Sequence, residues 1–400
     1  NKAVYKTIYF TQFIWFIVGL VLMLSILAVR FNQIYHYAFY IYLAILFLLI
    51  LTLVFGKEIR NTRGWLVLGP VHFQFSELAK IATILFLAKF IDYHFREFQK
   101  LQDFFLPFLI VLVPVGLILM QPDVGSTLIF FPALLIMLVF GGANLKYMFY
   151  ILLIGGISVI LPLIVSYYTL TGNASQHVWI RFFTDKNILI SVLLLLFIIS
   201  GFLKIIYKFY PRYKILNIIS TILFLIMIGL YFFYIVDNKL KPYQKRRLLV
   251  FIDSKIDPYG SGYNIIQSKI TIGSGRFWGQ GFLKGSQTQL GFLPEQTTDF
   301  IISVIGEEFG WVGMSFIILL YYLFISQILR IIYNARDTYS ALVAVGIGSV
   351  FVFQIFINIG MTLGIMPVTG IPLPFLSYGG SSLISSMIAA GVLLNIQFKR

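Results

Sequence analysis

Apolar runs of about 20 residues follow one another along most of this 400-residue chain. They lie at about 9–29, 38–55, 75–92, 104–120, 126–141, 147–168, 188–207, 215–236, 300–327, 339–363 and 379–397. A helix needs a run of that length to cross a hydrocarbon core about 30 Å thick. In that medium a helix satisfies its own backbone, which an open strand cannot do. The pattern therefore predicts an all-α fold: a polytopic integral membrane helical bundle of about 10–11 spans, forming one membrane domain over residues 1–400. Hydrophobic residues make up 59% of the chain and charged residues 11%. A soluble domain needs roughly twice that charge to cover its surface.

The connections are short apart from 237–298, which is rich in Gly, Lys and Arg. The run at 75–92 is the least hydrophobic, because it carries Glu77, Lys80, Lys89 and Asp92. One set of short loops, holding Arg30, Arg96, Lys146, the Lys204–Lys214 turn and Arg336, has more Lys and Arg than the opposite set. The richer set is expected to face the cytoplasm, which makes 237–298 a long external loop. The formal charge of +15 fits two readings: topogenic cations at the membrane face, or attraction to anionic lipid and a phosphate-bearing substrate. No nucleic-acid partner is expected. There is no cysteine, so disulfide and thiol chemistry are excluded. The chain opens at Asn1 without Met and shows no cleavable signal peptide, so a preceding N-terminal piece is expected.

Ionisable groups inside or beside a span are costly and therefore candidates for function. Glu77 and Lys80 lie three apart on one helical face, and an internal ion pair is the structural alternative. Asp123, in Gln121-Pro122-Asp123-Val124-Gly125-Ser126-Thr127, is well placed to cap the next helix. Glu307 and Glu308 fall about two turns into their run and must face protein or water; structural pairing and function are both open. Asp299 closes the basic loop at the external mouth of a span, where helix capping competes with a role as a base. Partial desolvation there would raise its pKa, and neighbouring cations would lower it. A further cluster joins Asn358 to the stretch from Pro367 to Ser382, whose Pro and Gly cannot continue a helix. Irregular backbone at that depth must line protein or a water-filled cavity. Its end, Gly379, Gly380, Ser381 and Ser382, offers free N–H groups at a helix start, which suits an anion.

Five stretches carry a resemblance: Arg63-Gly64-Trp65 through Gln74-Phe75-Ser76-Glu77-Leu78-Ala79-Lys80; Gln121 to Thr127; Gly262 to Lys269 with Ile272 to Gly275; Phe282 to Ile301; and Asn358 to Ser382. In these the chain resembles the SEDS family of bacterial cell-wall glycosyltransferases (RodA, FtsW, SpoVE). The run Phe282-Leu283-Lys284-Gly285-Ser286-Gln287 with Leu293-Pro294-Glu295-Gln296 is similar to the elongation branch, that of RodA. The resemblance implies a peptidoglycan glycosyltransferase in the bacterial cytoplasmic (inner) membrane, joining lipid II units into β-1,4 glycan outside it for cell elongation and shape. It implies that Asp299 is catalytic, that Glu77 and Lys80 lie beside the cavity, and that Trp65 is a sensitive external residue. Its expected partners are lipid II, a class B penicillin-binding protein transpeptidase and other membrane proteins of the elongation complex.

Three departures accompany the resemblance. The first apolar run matches the family's second span. Residues 188–236 look like an additional transmembrane hairpin. Thr297 and Phe75 stand where the family often has His and Pro. Joining local chemistry to the resemblance, Asp299 is expected to act as general base on the acceptor hydroxyl. Lys80, Lys269, Arg276 and the Gly379–Ser382 helix start are candidates to bind the pyrophosphate. No cofactor is assigned; a divalent cation, Mg or Mn, bridging Asp299 and pyrophosphate is an alternative. A lipid II flippase or transporter, or a non-catalytic scaffold of the wall-synthesis complex, remain competing functions.

Overall fold

The structure is a computed structural model, and it describes residues 2–59, 62–68, 71–170, 178–239, 250 and 260–398. The chain is organised as two compact units. The first comprises residues 1–144 and 264–400, the second 145–263.

Unit 1 opens with α1 (Lys2–Ala28) and α2 (Phe31–Phe55), followed by a small antiparallel sheet of β1 (Lys57–Ile59), β2 (Thr62–Leu68) and β3 (Val71–Gln74). That sheet departs from the all-α expectation, although the architecture is otherwise helical. Strand β2 pairs with β3 in a register that sets Trp65 opposite Gln74 and Leu66 opposite Phe73. The strands are too short to bury a core of their own; they ride on the bundle, with Gly64 against the side chains of Gln121 and Gln74.

Next come α3 (Phe75–Tyr93), α4 (Phe105–Met120), α5 (Val124–Leu128) and α6 (Phe130–Phe140). After the second unit follow α11 (Ser261–Ser274), α12 (Ser286–Gln289), α13 (Ile301–Tyr333), α14 (Thr338–Thr362) and α15 (Gly380–Phe398). Helix α14 is the hub, packed against α3, α6 and α13. It can take that place because small residues at Ala344, Gly346 and Gly348 let neighbours close in: a Cβ on Gly346 would lie 2.5 Å from Ile84. Helix α1 lies along α15, and α2 packs on α3 and α4.

Unit 2 consists of α7 (Leu145–Leu170), α8 (Val178–Thr184), α9 (Lys186–Phe209) and α10 (Lys214–Lys239). Val165, Ile180, Leu189 and Phe233 form its centre. Helices α9 and α10 pair across the Tyr210–Tyr213 turn, and Ser220 donates to the Ser200 carbonyl at 2.8 Å. They occupy the segment read as a hairpin at 188–236.

Among the described residues, nine helices are long and apolar enough to cross a membrane. Two runs expected as spans fall outside that set, each for a visible reason. Helix α3 carries four charges, and it buries two of them inside unit 1, where Glu77 and Lys80 are 4% and 3% exposed. The 126–141 run is shorter and is divided into α5 and α6. The chain is a multi-pass membrane protein of helical architecture.

Candidate active site

Helix α13 is not one continuous rod. Gly310 has φ 65° and ψ −159°, a conformation essentially restricted to glycine, and it divides the helix. The 311–333 portion alone is about 35 Å long at ~1.5 Å per residue, enough to cross the core. Glu307 and Glu308 lie about two turns into the helix, in its 301–309 portion ahead of the break. The turn after α11 packs backbone to backbone on this portion: a Cβ on Gly275 would lie 1.9 Å from the Gly306 carbonyl. Gln280 and Gly281 donate their N–H groups to the carbonyls of Glu307 and Glu308 at 2.9 Å each.

Glu307 anchors the loop that follows. It is fully buried, and its carboxylate accepts the N–H groups of Gln287 (2.7 Å) and Thr288 (3.0 Å) together with the Thr288 hydroxyl. Of the two readings left open for this acid, the structural one is visible here. It stabilises the start of α12, whose free N–H groups attract negative charge. Glu308 instead lines a cavity of about 260 Å³, with Phe282, Gln296, Thr297, Ile301 and Tyr378 also in its wall.

Asp299 sits in the turn just ahead of α13, half-buried and flanked in the chain by residues of that cavity wall. The turn that carries it is held from three directions. The Asp299 N–H donates to the Glu295 carbonyl at 3.1 Å. Asn358 of α14, fully buried, donates its amide to the carbonyls of Asp299 (3.0 Å) and Ile371 (2.8 Å). Ser377 donates to the Thr298 carbonyl at 2.5 Å, and the Tyr378 N–H donates to that of Thr297 at 2.9 Å. The irregular 364–378 stretch thus finds its hydrogen bonds in the turn carrying Asp299, which answers how such backbone is tolerated. A Cβ on Gly370 would stand 3.5 Å from Asp299 Oδ2, so the carboxylate faces this loop.

Asp123 caps α5 as its position in the sequence suggests, accepting from the Ser126 N–H at 3.1 Å. Its other oxygen accepts from Ser126 Oγ (2.6 Å) and from Gln74 Nε2 (2.8 Å). Gly125 meets the Thr369 carbonyl closely enough that a Cβ there would lie 2.2 Å away. Trp65 joins this region through its pairing with Gln74. The hairpin, the Asp123 turn and the loop at Asp299 are therefore contiguous.

Lys80 donates to both oxygens of Glu77 at 2.8 Å, a buried two-pronged ion pair. A small cavity of about 20 Å³ adjoins it, lined also by Gln354, Phe351, Ser385 and Ser386. It has room for about one water. Gln354 stands one helical turn from Asn358 on α14, about 6 Å along the axis. The pair is thus near the Asp299 clamp, but Lys80 already has its charge matched.

The start of α15 is closed by the fold. The Gly379 N–H donates to Gln12 Oε1 at 3.3 Å, and Gly380 lies against the Trp15 ring. Ser381 Oγ accepts from the Gln74 N–H at 2.9 Å, and Ser382 donates to the Gly379 carbonyl at 3.2 Å. Lys269 and Arg276 are both exposed. Lys269 lies over Gly364 at the end of α14, and its neighbour Ser268 donates to the Thr362 carbonyl at 2.8 Å. Arg276 sits beside the Gly310 break, where its carbonyl accepts the Trp311 N–H. Gln12 had no motif of its own to single it out; only folded proximity reveals it. Among the described residues no three His, Asp or Glu side chains converge on a metal position.

Comparison with known proteins supplies the context. The cell cycle protein family FtsW/RodA/SpoVE matches residues 2–187 and 187–400. Peptidoglycan glycosyltransferase RodA of Treponema pallidum is 36% identical over 392 residues, 98% of this chain and 90% of that protein. Peptidoglycan glycosyltransferase MrdB of Escherichia coli K12 is 32% identical over 382 residues, 96% of this chain and 83% of that one. A solved peptidoglycan synthase complex, described as coordinating polymerization and crosslinking, contains a chain similar at TM-score 0.68 and 27% identity, covering 98% and 90% of the two chains. Thermus thermophilus rod shape determining protein RodA shares the fold at TM-score 0.60 and 24% identity, covering 98% and 88%.

Proposed function

The chain belongs to the FtsW/RodA/SpoVE family of cell cycle proteins, and from that premise we propose that it is a peptidoglycan glycosyltransferase that polymerises lipid II, with Asp299 as general base. The observation that carries the reading is the clamp on Asp299. A carboxylate whose backbone is fixed by Asn358 and Glu295, and whose neighbours Thr297 and Thr298 are held by Tyr378 and Ser377, sits where helix, loop and cavity meet. Preorganisation of that kind lets a base meet its proton without reorganising in the reaction.

The reaction is a single inverting displacement. The acceptor's sugar hydroxyl loses its proton to the Asp299 carboxylate as its oxygen bonds the donor's anomeric carbon. The bond from that carbon to the α-linked pyrophosphate breaks, and the lipid pyrophosphate leaves with the electron pair. The link that forms is β. Lys269, exposed beside the end of α14, is the cation best disposed to meet the departing charge, since Glu77 neutralises Lys80 and Arg276 lies along α13 at the Gly310 break. A divalent cation at Asp299 would have to take most of its ligands from pyrophosphate and water, and chelation of a purified preparation tests that role.

The membrane is the bacterial cytoplasmic membrane, with Asp299 on its external face, as the loop charges predict. A class B penicillin-binding protein is the partner that crosslinks the strand; the similarity to a synthase complex that couples polymerization and crosslinking supports it. Purified protein given lipid II should yield glycan chains, and Asp299→Asn should not. Polymer made by Asp299→Asn at the unaltered protein's rate would remove this carboxylate from the mechanism and favour a transporter or scaffold.

A further inference from the structure

Asp299 precedes the first residue of α13, and Arg336 and Asp337 follow its last. At that far end of unit 1 lies a cavity of about 420 Å³ which the reaction above does not use. Asp92, Arg336, Asp337, Tyr35, Tyr339 and Asn395 line it. Among the described residues none of these three charged side chains forms an ion pair. Asp337 also caps α14, accepting from the N–H and hydroxyl of Ser340 at 3.0 and 2.6 Å, which leaves lone pairs to spare.

Two buried polar groups in the same wall are left without a hydrogen-bond partner. Tyr339 is 3% exposed and Asn395 is 0% exposed, yet the Tyr339 hydroxyl and Asn395 Oδ1 have no hydrogen-bond partner. Asn395 cannot turn to relieve this, because its amide nitrogen already donates to the carbonyls of Ile26 (2.6 Å) and Val29 (2.8 Å). Unsatisfied buried oxygens are costly, and each needs an account. Two carboxylates face one guanidinium in this wall, so the complement carries a cation beside an anionic group.

Depth narrows the ligand. The cavity is framed by the first residues of α2 and α14 and the last turns of α3 and α15. Helix ends of this kind lie where lipid headgroups do. We propose that the cavity binds a primary ammonium carried beside a phosphate, the headgroup chemistry of an aminophospholipid. The ammonium, with three N–H donors, meets Asp92, Asp337 and the Tyr339 hydroxyl at their edge; the phosphate meets the Arg336 guanidinium.

Native mass spectrometry of the purified full-length chain tests this, with phosphatidylethanolamine, phosphatidylcholine or phosphatidylglycerol added in equal amount and soluble glycerophosphoethanolamine as a further arm. Phosphatidylethanolamine should be retained at least about fivefold over phosphatidylcholine, the ratio expected from one net hydrogen bond. Asp92→Asn should remove the preference. Tyr339→Phe should weaken it while leaving the fold intact, since that hydroxyl has no partner to lose. Retention of glycerophosphoethanolamine as strongly as the lipid would overturn the lipid source. Equal retention of choline and ethanolamine lipids would reduce the site to an aromatic cage for any headgroup cation and sink the proposal. So would an unchanged preference in Asp92→Asn. Lipid II polymerisation is read separately, at the other end of α13, so either reading can fail alone.

Discussion

An asparagine amide can donate two hydrogen bonds, and Asn358 gives both to carbonyls that flank the candidate base, those of Asp299 and Ile371. Replacing it with Ala leaves those carbonyls without their donor, at about 1–3 kcal/mol each where they are buried. We expect Asn358→Ala to lower glycan synthesis strongly while the protein still inserts, measured as polymer formed from lipid II per molecule of folded protein. The Glu77–Lys80 pair calls for a different experiment. Breaking a buried pair from one side strands a charge and costs about 3–5 kcal/mol. Lys80→Ala should therefore lower both thermal stability and activity, whereas Glu77→Gln with Lys80→Met should recover most of the stability. Full activity in that double variant would make the pair structural only; recovered stability without activity would tie its charges to substrate. Much of this was legible in the sequence, because an ionisable group in an apolar run is conspicuous. Glu77, Lys80, Asp123 and Asp299 all stood out in that way. What was hidden is how charge is already matched: spacing suggests that Glu77 reaches Lys80, but not that both Glu77 oxygens contact it and leave no free cation.

Element boundaries depend on backbone contacts that a hydropathy pattern does not encode. The run beginning near residue 300 reads as one span, yet Gly310 breaks it because the turn at 277–279 presses on its backbone: a Cβ there would lie 2.4 Å from the Gly279 nitrogen. Gly310→Ala would meet both that clash and a backbone conformation costing about 1–3 kcal/mol for a side-chain-bearing residue. Its expected outcome is a protein less stable to heat and poor in polymerisation, with the 275–292 loop more open to protease. Glu307→Gln isolates the loop anchor from the kink. It keeps the size of the side chain but removes the charge that two N–H groups and a hydroxyl address, about 1.5–3 kcal/mol for a hydrogen bond to a charged group. Faster hydrogen exchange at Gln287 and Thr288, with the helix from 311 onward unchanged, would bear out the anchor. Unaltered exchange at those two amides would refute it. The sheet at 57–74 escaped the sequence reading for a related reason, since three short strands beside a helix start look like a connecting loop. The long segment at 237–298 contains helix α11 for a converse reason: its Gly-rich, cationic composition masks a 14-residue helix whose Ser268 bonds to Ser303 and to the Thr362 carbonyl.

At the scale of the whole molecule, everything proposed for Asp299 depends on which side of the membrane it faces. Loop charge is the argument, and unit 1 allows it to be tested without reference to unit 2. Ser286 belongs to the loop anchored by Glu307 at the Asp299 end of α13, and Asn334 follows the other end; both are exposed. The two positions are separated by the apolar 311–333 helix, so they should lie on opposite sides of a bilayer. The Lys and Arg of the short loops predict that the Asn334 side is cytoplasmic, because cytoplasmic loops carry the excess of positive charge. The chain has no native cysteine, so single cysteines at these positions report without background. An impermeant maleimide applied to intact spheroplasts should label Ser286→Cys and leave Asn334→Cys unlabelled until the membrane is opened. The reverse pattern would put Asp299 in the cytoplasm, where a base for polymerisation outside the membrane has no substrate hydroxyl to meet. It would also move the cavity at Asp92 and Arg336 to the outer leaflet, so the same two cysteines decide which leaflet supplies its lipid.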